Sequence, residues 1–265
     1  MPPGLQLYTV REQMNADLDA TLVAVHAAGF REVEAAGFGR ATAATVRTAL
    51  DKAGLRCVSA HHHFVELEKH LNEAIAFDKE LGAEYLVLAT PGRRSQGGPG
   101  KPAALTLDDW RYTAEQMNEI GAKLKAAGLR LAYHNHTAEF TLAESILPYA
   151  ELMRICEPGL VSFELDCGWA RVAGQDPVTW MQEHRDRFCM LHVKDFALPE
   201  HPAPEKRDQA RITELGRGSI DYAPIFAEAA RSQNIQHAFI EQESFDMPWK
   251  EALAIDAAYM KRWSA

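Results

Sequence analysis

The segment AAGLRLAYHNH (126–136) joins the end of a helix to a short strand, and this junction decides how the rest of the chain is interpreted. Gly128 follows a run with helical spacing, and glycine tolerates the left-handed conformation that closes a helix. After it, apolar side chains alternate with a second face that ends in His134 and His136. This alternation predicts a short strand whose carboxyl end carries polar groups.

The same junction occurs six times: a helix-like run stops at Gly or Asn, and an apolar strand follows. The stops are Gly29, Gly54, Gly82, Gly128, Gly159 and Asn234. Two more strands are predicted at 4–10 and 187–195, which gives eight strands, each followed by a helix or by a loop leading to one. Eight such units in about 250 residues are typical of a closed barrel. We therefore predict an α/β fold, a single (β/α)8 TIM barrel domain over residues 1–265.

An open, doubly wound sheet is the alternative fold. Its dinucleotide-binding members carry a GxGxxG motif after the first strand, and no such motif follows residues 4–10 here. Long loops are predicted after strands four and seven, at 91–106 and 196–219. The first loop contains Arg93 and Arg94, which could hold a phosphate, although a solvated loop is the favoured interpretation.

The composition narrows the classes of partner. Asp and Glu number 37 and Lys and Arg number 28 in 265 residues, so the formal net charge is −9. Nucleic acids and anionic membranes attract basic surfaces, so neither is expected as a partner. The chain shows no signal-peptide pattern, no apolar stretch of about 18 residues and no CxxC motif, which predicts a cytoplasmic protein with reduced cysteines. The sequence leaves open whether the protein forms a homo-oligomer, since no helix face is marked as an interface.

Alternation along each strand separates residues that face the helices from those that point into the barrel. The helix-facing set must be apolar, and this requirement fixes the register. The interior positions near the strand ends are then polar: Gln6, Tyr8, Glu32, Glu34, Ser59, His61, Thr90, His134, His136, Glu164, Asp166, His192, Lys194, Glu241 and Glu243. Barrel enzymes build their active sites at this carboxyl end of the strands.

Four residues near this end predict a metal site: Glu139, Asp166, His192 and Glu241. Three carboxylates and an imidazole would repel and desolvate one another without a cation. The oxygen-rich set favours Mn²⁺ or Mg²⁺, with Co²⁺ or Zn²⁺ as alternatives. Such an ion is a Lewis acid that could stabilise the enediolate formed when a proton leaves the carbon next to a sugar carbonyl. Glu139 and Glu241, from strands five and eight, are the predicted acid and base.

Six motifs, spread over nearly the whole chain, resemble the sugar phosphate isomerase/epimerase superfamily of xylose isomerase-like TIM barrels. The closest branch is the one with inosose dehydratase and related keto-sugar isomerases and lyases. The motifs are LQLYTVR (5–11), YHNHTAEF (133–140), FELDCGWARVAGQDP (163–177), MLHVKDF (190–196), GRGSIDY (216–222) and FIEQES (239–244). The resemblance implies a barrel enzyme that binds one divalent ion and acts on a small sugar or cyclitol.

The resemblance also implies roles for single residues. Asp166, His192 and Glu241 match the metal ligands, and Glu139 is expected to be the fourth. Many relatives carry that glutamate within strand five, where this chain has Ala132, so His134 or His136 could take the position instead.

The residues expected to contact substrate come from several strand ends. His61, His136 and Lys194 match relatives' substrate-binding residues in type and position. Glu34 would orient a substrate hydroxyl or pair with a neighbour. Trp169, where inosose dehydratases resemble LDTGH rather than LDCGW, would stack on a sugar face or pack on the rim.

The favoured function is a divalent-metal-dependent isomerase or epimerase acting on a non-phosphorylated keto-sugar or cyclitol. A lyase or dehydratase that uses the same enolate chemistry is the main alternative. An abasic-site endonuclease shares the fold but needs a basic surface and more metal ligands. A barrel that only binds sugar would have no need for four metal-ligand candidates.

Overall fold

The computed structural model describes residues 3–38, 41–94 and 104–263. The strands within these residues are β1 (Pro3–Gln6), β2 (Glu32–Ala35), β3 (Arg56–His62), β4 (Tyr85–Leu88), β5 (Arg130–His134), β6 (Val161–Asp166), β7 (Phe188–Val193), β8 (Asp195–Ala197), β9 (Arg211–Thr213) and β10 (His237–Ile240). Eight of them are parallel and close into a barrel in the order β1-β10-β7-β6-β5-β4-β3-β2, while β8 and β9 form an antiparallel hairpin. The closed barrel confirms the predicted fold, and the open sheet is wrong.

Helices surround the barrel. Those in the described residues are α1 (Arg11–Ala16), α2 (Leu18–Ala28), α3 (Ala43–Ala53), α4 (Phe64–Leu81), α5 (Leu107–Ala127), α6 (Pro148–Ile155), α7 (Cys167–Val172), α8 (Pro177–Glu183), α9 (Tyr222–Ser232) and α10 (Trp249–Lys261). No helix in this part of the chain has both the length and the apolar character needed to cross a bilayer.

Four of the six predicted helix stops close as expected. Gly29, Gly54, Gly82 and Gly128 have φ values of 115°, 73°, 80° and 83°. The α6 helix instead ends at Ile155, because Cys156 already has extended backbone angles (φ −68°, ψ 126°), so Gly159 does not close it. The α9 helix ends at Ser232, where Gln233 is extended and its side-chain amide donates a hydrogen bond to the Met181 carbonyl (2.7 Å).

The first strand is shorter than predicted. It ends at Gln6, and Leu7–Val10 forms a 3-10 turn. The Gln6 side-chain oxygen accepts a hydrogen bond from the N–H of Tyr8 (3.0 Å), which turns the chain away from the barrel. Tyr8 therefore lies at the rim with its ring exposed, under the Arg11 guanidinium (4.2 Å), rather than in the interior.

The loop after β4 falls partly outside the described residues. Residue Arg94 is described, and its guanidinium pairs with the exposed carboxylate of Asp108 (3.1 Å). This pairing favours the solvated-loop interpretation over a phosphate site. Thr90, expected to point into the barrel, caps α4 by accepting a hydrogen bond from the N–H of Phe64 (3.0 Å).

The barrel interior is apolar below the strand ends. Its small apolar cluster contains Val58, Tyr85, Val87, Ala132, Cys189, Met190 and Phe239. Strict alternation with the inward His192 would place Cys189 on the helix side, but it joins this cluster because the pairing of β6 with β7 shifts between Phe163 and Glu164. The four cysteines are free and buried, as expected. The apolar layer separates the polar strand ends from the opposite end of the barrel.

One carboxylate ties the long loop after β7 to the barrel. Asp195 accepts hydrogen bonds from the backbone N–H groups of Phe196, Gly216, Gly218 and Ile220, at 2.9, 2.9, 3.0 and 3.1 Å. A Cβ on Gly218 would lie 2.2 Å from the Asp195 Oδ1 atom, so this position needs glycine. The loop, with its 3-10 segment Pro204–Gln209, is thereby fixed beside the carboxyl ends of the strands.

A second buried carboxylate, on α10, is only half satisfied. The Asp256 Oδ1 atom accepts a hydrogen bond from the N–H of Leu215 (2.7 Å), but Oδ2 is buried and has no hydrogen-bond partner among the described residues. Burial raises the pKa of Asp256 from its ordinary value of 3.8 to about 7.

We predict that Asp256→Asn makes the protein more stable at pH 8 than the wild type. Because the pKa is raised in the folded state, the folded protein keeps a proton between pH 4 and 7 that the unfolded chain releases, so stability falls as the pH rises through this range. Denaturant unfolding at pH 5 and pH 8 should show a gain at pH 8 of roughly 1–4 kcal/mol, because asparagine has no charge to bury and each unit of pKa shift corresponds to about 1.4 kcal/mol. The control is Glu251→Gln, an exposed carboxylate on the same helix. An unchanged pH dependence in Asp256→Asn would contradict this account.

Candidate metal and substrate site

Four side chains with metal-binding atoms converge at the carboxyl end of the barrel. His134 ends β5, Asp166 ends β6, His192 lies near the end of β7 and Glu241 directly follows β10. All four are buried, and one ligand atom from each lies within 4.8 Å of the others. His192 Nδ1 is 3.1 Å from Glu241 Oε2 and 3.7 Å from Asp166 Oδ2, and His134 Nε2 is 3.8 Å from Asp166 Oδ2. A single ion with ligand bonds of about 2 Å could bridge these atoms.

The strand register and one amide place these groups. Asp166 lies opposite His192 in the pairing of β6 with β7. Asn135, directly after His134, accepts a hydrogen bond from the Asp166 N–H (3.0 Å) and donates one to the Asp166 carbonyl (3.2 Å). Tyr149 donates its hydroxyl to the same Asn135 oxygen (3.2 Å). The asparagine at the end of β5 therefore locks two ligand-bearing strands together.

The LDCG sequence aims one carboxylate oxygen into the site. Asp166 caps α7, and its Oδ1 atom accepts a hydrogen bond from the N–H of Trp169 (2.6 Å). Its Oδ2 atom is left to face the other ligand candidates. Gly168 allows α7 to approach β7, since a Cβ there would lie 2.6 Å from the Lys194 Cβ atom and 3.1 Å from the Lys194 carbonyl oxygen.

The donor set fits a divalent ion. The Oδ2 atom of Asp166 is buried without a hydrogen-bond partner among the described residues, and so is the neighbouring Oε1 atom of Glu164. Such oxygens are costly unless a cation or a donor reaches them, and the cation nearest to Asp166 Oδ2 in the described residues is the Lys194 ammonium at 3.2 Å. Two imidazole nitrogens and two carboxylate oxygens are ligands that Mn²⁺, Co²⁺ and Zn²⁺ accept, whereas Mg²⁺ prefers oxygen alone.

Lys194 supplies the cation nearest to these carboxylates. Its Nζ atom lies 3.2 Å from Asp166 Oδ2, 2.8 Å from Glu241 Oε2 and 2.9 Å from Glu243 Oε1, and the side chain is buried. Burial alone would raise the pKa of Glu241, but Lys194 and His192 hold it well below its ordinary value. Lys194, expected to contact substrate, is thus occupied by three carboxylates.

Glu139 is not brought to this group. Its Oε1 atom accepts a hydrogen bond from the Tyr133 hydroxyl (2.7 Å) and its Oε2 atom from the His136 N–H (2.8 Å). Tyr133 points to the helix side of β5, so the turn after the strand folds Glu139 back onto that side. Of the three candidates that the sequence left open, Glu139, His134 and His136, it is His134, on the interior side, whose ring lies with Asp166, His192 and Glu241. The choice of Glu139 as ligand and catalytic group is therefore not supported by the geometry.

Glu34 lies behind the site rather than in contact with the cavity. It is fully buried and accepts hydrogen bonds from the side chains of Gln6 and Ser59. Its Oε1 atom lies 2.6 Å from His192 Nε2 and 2.9 Å from His61 Nε2. Of the two sequence interpretations, pairing with neighbours is the one that the structure supports, and contact with a substrate hydroxyl is not.

His61 lines the cavity, but its Nε2 atom is held by carboxylates on two sides. It lies 2.9 Å from Glu34 and 3.0 Å from Glu164. Burial alone would lower the pKa of His61, but these carboxylates raise it to about 9. His61 was expected to contact substrate. Because its Nε2 atom is engaged by Glu34 and Glu164, any such contact would have to come from the other atoms of the ring.

Glu164 is a site residue to which the sequence analysis gave no role. Its Oε2 atom lies 3.0 Å from His61 Nε2, 3.1 Å from His134 Nδ1 and 3.3 Å from His192 Nε2. Burial, together with the nearby charge of Glu34, raises the pKa of Glu164 to about 7. The signal was present in the sequence, because Glu164 and Asp166 lie two residues apart on the inward face of one strand.

A cavity of about 470 Å³ opens at the carboxyl end of the barrel, and two of the four ligand candidates, His134 and Glu241, line it. Its lining comprises Gln6, Tyr8, Ala36, Gly37, His61, His62, His63, Glu66, Ala89, Thr90, His134, His136, Arg207, Glu241 and Glu243. His136, a predicted substrate contact, packs its ring against His134 (4.7 Å), and its side chain makes no hydrogen bond to the described residues. Burial lowers the pKa of His136 to about 3, which keeps the imidazole neutral. Its ring nitrogens remain available to a ligand.

Trp169 supports the rim instead of presenting a bare face to substrate. It is 5% exposed, and its ring is covered by the Arg207 guanidinium at 4.2 Å, the Lys194 ammonium at 4.9 Å and the Phe196 ring at 5.0 Å. Packing on the rim, the second of the two interpretations, is the observed one. Arg207 itself was missed, because it lies in the loop after β7 and reaches the cavity only through the tertiary contacts of that loop.

The chain is similar in sequence to known proteins. A family model described as "Xylose isomerase-like TIM barrel" matches residues 22–263. An inosose dehydratase of Clostridium perfringens is 28% identical over 177 residues, which cover 62% of this chain and 59% of that protein. The match thus spans less than two thirds of that relative's length.

Two solved structures show the same fold. A sugar phosphate isomerase/epimerase from Parabacteroides distasonis is 24% identical with a TM-score of 0.78, covering 98% of this chain and 93% of that one. An IOLI protein with a binding zinc atom is 14% identical with a TM-score of 0.76, covering 99% and 98%. At these identities the likeness concerns the fold alone.

We predict that His134→Ala loses metal binding and that Glu139→Gln keeps it. Removing a ligand should lower Mn²⁺ affinity by more than the roughly 10–100-fold that follows loss of a residue that only orients a ligand. The measurement is metal content after dialysis, with circular dichroism to verify that both variants fold. Metal retained in folded His134→Ala but lost from folded Glu139→Gln would restore Glu139 as the ligand.

Proposed function

The chain belongs to the xylose isomerase-like TIM barrel family, and on this premise we propose that it is a divalent-metal-dependent enzyme of sugar metabolism. It would isomerise or epimerise a keto-sugar or cyclitol by moving a proton at the carbon next to a carbonyl. Four buried ligand atoms within 4.8 Å of one another, from residues of which His134 and Glu241 also line a cavity, are the observation that carries this proposal.

His134, Asp166, His192 and Glu241 would hold the ion. When bound, the ion would supply Lewis acidity that makes a carbon-bound proton next to a carbonyl easier to remove. The two imidazoles shift the preference from Mg²⁺ towards Mn²⁺, Co²⁺ or Zn²⁺. Lys194 and His192 keep the Glu241 carboxylate ionised and fixed, as a ligand must be.

The proton would be moved by groups that still have a free atom facing the cavity. His136 follows β5, and its ring makes no hydrogen bond to the described residues. Glu243 follows β10, and its Oε1 atom forms an ion pair with Lys194 Nζ (2.9 Å). Since β6 and β7 lie between β5 and β10, these two groups could act from different sides of a bound sugar. They replace Glu139 and Glu241 as the proposed acid and base.

Arg207 is proposed as a substrate-binding residue. Its guanidinium is stacked on Trp169 and pairs with no carboxylate in the described residues, so its donors are available to sugar oxygens. Arg94, already paired with Asp108, offers no second cationic group to the cavity. A neutral polyhydroxy ketone or cyclitol therefore remains the proposed substrate class, and a small molecule the proposed partner.

A lyase or dehydratase is the second candidate. It shares the first step, removal of a proton next to a carbonyl, and then expels a hydroxyl or a glycosidic oxygen. The inosose dehydratase relatives favour it, and the Glu243 carboxylate at the cavity wall could take the proton from the carbon and return it to the departing oxygen. The abasic-site endonuclease is disfavoured, because a net charge of −9 repels the phosphate backbone.

We predict solvent exchange of a substrate proton as the shared signature. Metal-loaded enzyme in D2O would be incubated with ketoses, inososes and 3-keto-glucosides while the C–H signals are followed by NMR. Exchange with formation of a new sugar would support the isomerase or epimerase. Exchange with loss of water or an aglycone would support the lyase, and no exchange with any compound would contradict the enolate mechanism.

We predict that His136→Asn slows this exchange by roughly 100-fold to 10,000-fold, the usual contribution of a positioned acid or base. Metal content should not change, because the variant keeps all four proposed ligands. The control is His201→Asn, an exposed imidazole in the loop between β8 and β9 that does not line the cavity. Equal exchange rates in His136→Asn and wild type would remove His136 from the proposed chemistry.

A further inference from the structure

Behind the two proposed histidine ligands lies a pair of fully buried carboxylates, Glu34 on β2 and Glu164 on β6. The two strands stand on opposite sides of the barrel, four positions apart in the closed strand order. His61 joins the pair, with its Nε2 atom 2.9 Å from Glu34 Oε1 and 3.0 Å from Glu164 Oε2. Neither carboxylate appears among the residues that line the cavity.

Each carboxylate meets the outer nitrogen of one histidine ligand. Glu34 Oε1 is 2.6 Å from His192 Nε2, while the Nδ1 atom of the same ring faces Glu241 and Asp166. Glu164 Oε2 is 3.1 Å from His134 Nδ1, while Nε2 of that ring faces Asp166. The two rings therefore present different nitrogens to the site, Nδ1 from His192 and Nε2 from His134.

A neutral imidazole has one N–H and one lone pair, and only the lone pair can bind a cation. A carboxylate accepts but does not donate, so it selects the tautomer that carries the proton on the nitrogen facing it. His192 faces a carboxylate at both nitrogens, Glu34 at Nε2 and Glu241 at Nδ1, so its Nε2–H form is selected when Nδ1 gives up its proton to an ion and Glu34 accepts the remaining N–H. The ionised form of Glu164 selects the Nδ1–H form of His134. In both rings the lone pair is directed at the space between the four ligands.

Both carboxylates point inward by the regular alternation of their own strands. The register of the neighbouring strand shifts beside each of them, because β3 has an extra residue, Val58, opposite the step from Val33 to Glu34, and β7 has an extra residue, Cys189, opposite the step from Phe163 to Glu164. Extra residues of this kind bend the strand that carries them and re-aim the side chains that follow on it. Glu34 lies opposite Ser59 after its shift, and Ser59 and Gln6 donate hydrogen bonds that fix its orientation.

We infer that Glu34 and Glu164 are positioning residues that set opposite tautomers of His192 and His134 and thereby preorganise the metal site. This inference rests on the proposed function for the presence of the ion. It does not depend on the reaction that the ion assists. The alternative is a second ion among His61, His134, Glu164 and His192, whose ligand atoms also lie within 4.8 Å of one another. That arrangement would need both ring nitrogens of His134 and His192 as lone pairs at once, which a neutral imidazole cannot offer.

The first test is carried out on the wild-type protein loaded with Zn²⁺, a diamagnetic ion suited to NMR. Long-range ¹H–¹⁵N correlation spectra report which ring nitrogen carries the proton, with His134→Gln and His192→Gln used to assign the signals. The expected result is an Nδ1–H ring for His134 and an Nε2–H ring for His192, with one Zn²⁺ per chain. The opposite tautomer in either ring, or two ions per chain, would overturn the inference.

The second test uses three single variants, Glu34→Gln, Glu164→Gln and Glu32→Gln. Glu32 is the matched control, because it lies on the same strand as Glu34 and pairs with an imidazole, His237 (2.7 Å), away from the proposed ligands. Chelator competition with Co²⁺ should show affinity lower by about 10-fold to 100-fold in the first two variants. The visible spectrum of bound Co²⁺ should also change in them, and Glu32→Gln should match the wild type.

Equal Co²⁺ affinity and spectrum in all three variants and the wild type would contradict the inference. Glu34→Asp and Glu164→Asp keep the acceptor charge and should retain more affinity than the glutamine variants, whereas a purely structural role would make them no better. Failure of the proposed reaction has a different signature. The predicted tautomers and affinities would then be found, but no substrate would exchange a proton in D2O.

Discussion

Negative charge buried at the ends of parallel strands is the constraint on which the rest of the site depends. Asp166, Glu241 and Glu243 lie within 3.2 Å of the same ammonium group, that of Lys194. One lysine offsets one of these three charges, and burial makes the remainder costly. A divalent ion held by His134, Asp166, His192 and Glu241 would bring the sum to zero. The three carboxylate charges therefore explain why this group of side chains contains a buried lysine and why it would also bind a divalent ion.

The barrel could be predicted from the sequence because its signals are local. Glycine stops such as Gly54 and Gly128 mark helix ends through backbone geometry alone. Strand alternation then separates inside from outside, so Asp166, His192 and Glu241 were predicted together, and the structure brings them together. The same alternation fails where pairing shifts register, and for this reason Cys189 lies inside the barrel.

The rest of the site depends on where the chain turns after a strand ends. Glu139 and His134 are equally acceptable as ligands by residue type, and only the turn after β5 decides between them, since it bonds Glu139 to Tyr133 on the helix side. Arg207 reaches the cavity because Asp195 gathers the backbone of a long loop by four hydrogen bonds. Neither the orientation of Glu139 nor the position of Arg207 follows from a periodic pattern or a motif spacing, so neither could be predicted from the sequence.

The two carboxylates behind the histidines explain why so many polar groups lie inside this barrel. Without Glu34 and Glu164, His192 and His134 could each rotate or adopt either tautomer, and the ligand lone pairs would converge only part of the time. With them, each ring has its outer nitrogen fixed at 2.6 or 3.1 Å from an acceptor. The cost of burying two more carboxylates is offset by the N–H groups that they accept and by His61, which lies between them. The same contacts between carboxylates and imidazoles therefore do two things: they preorganise the ligands, and they compensate the buried charge.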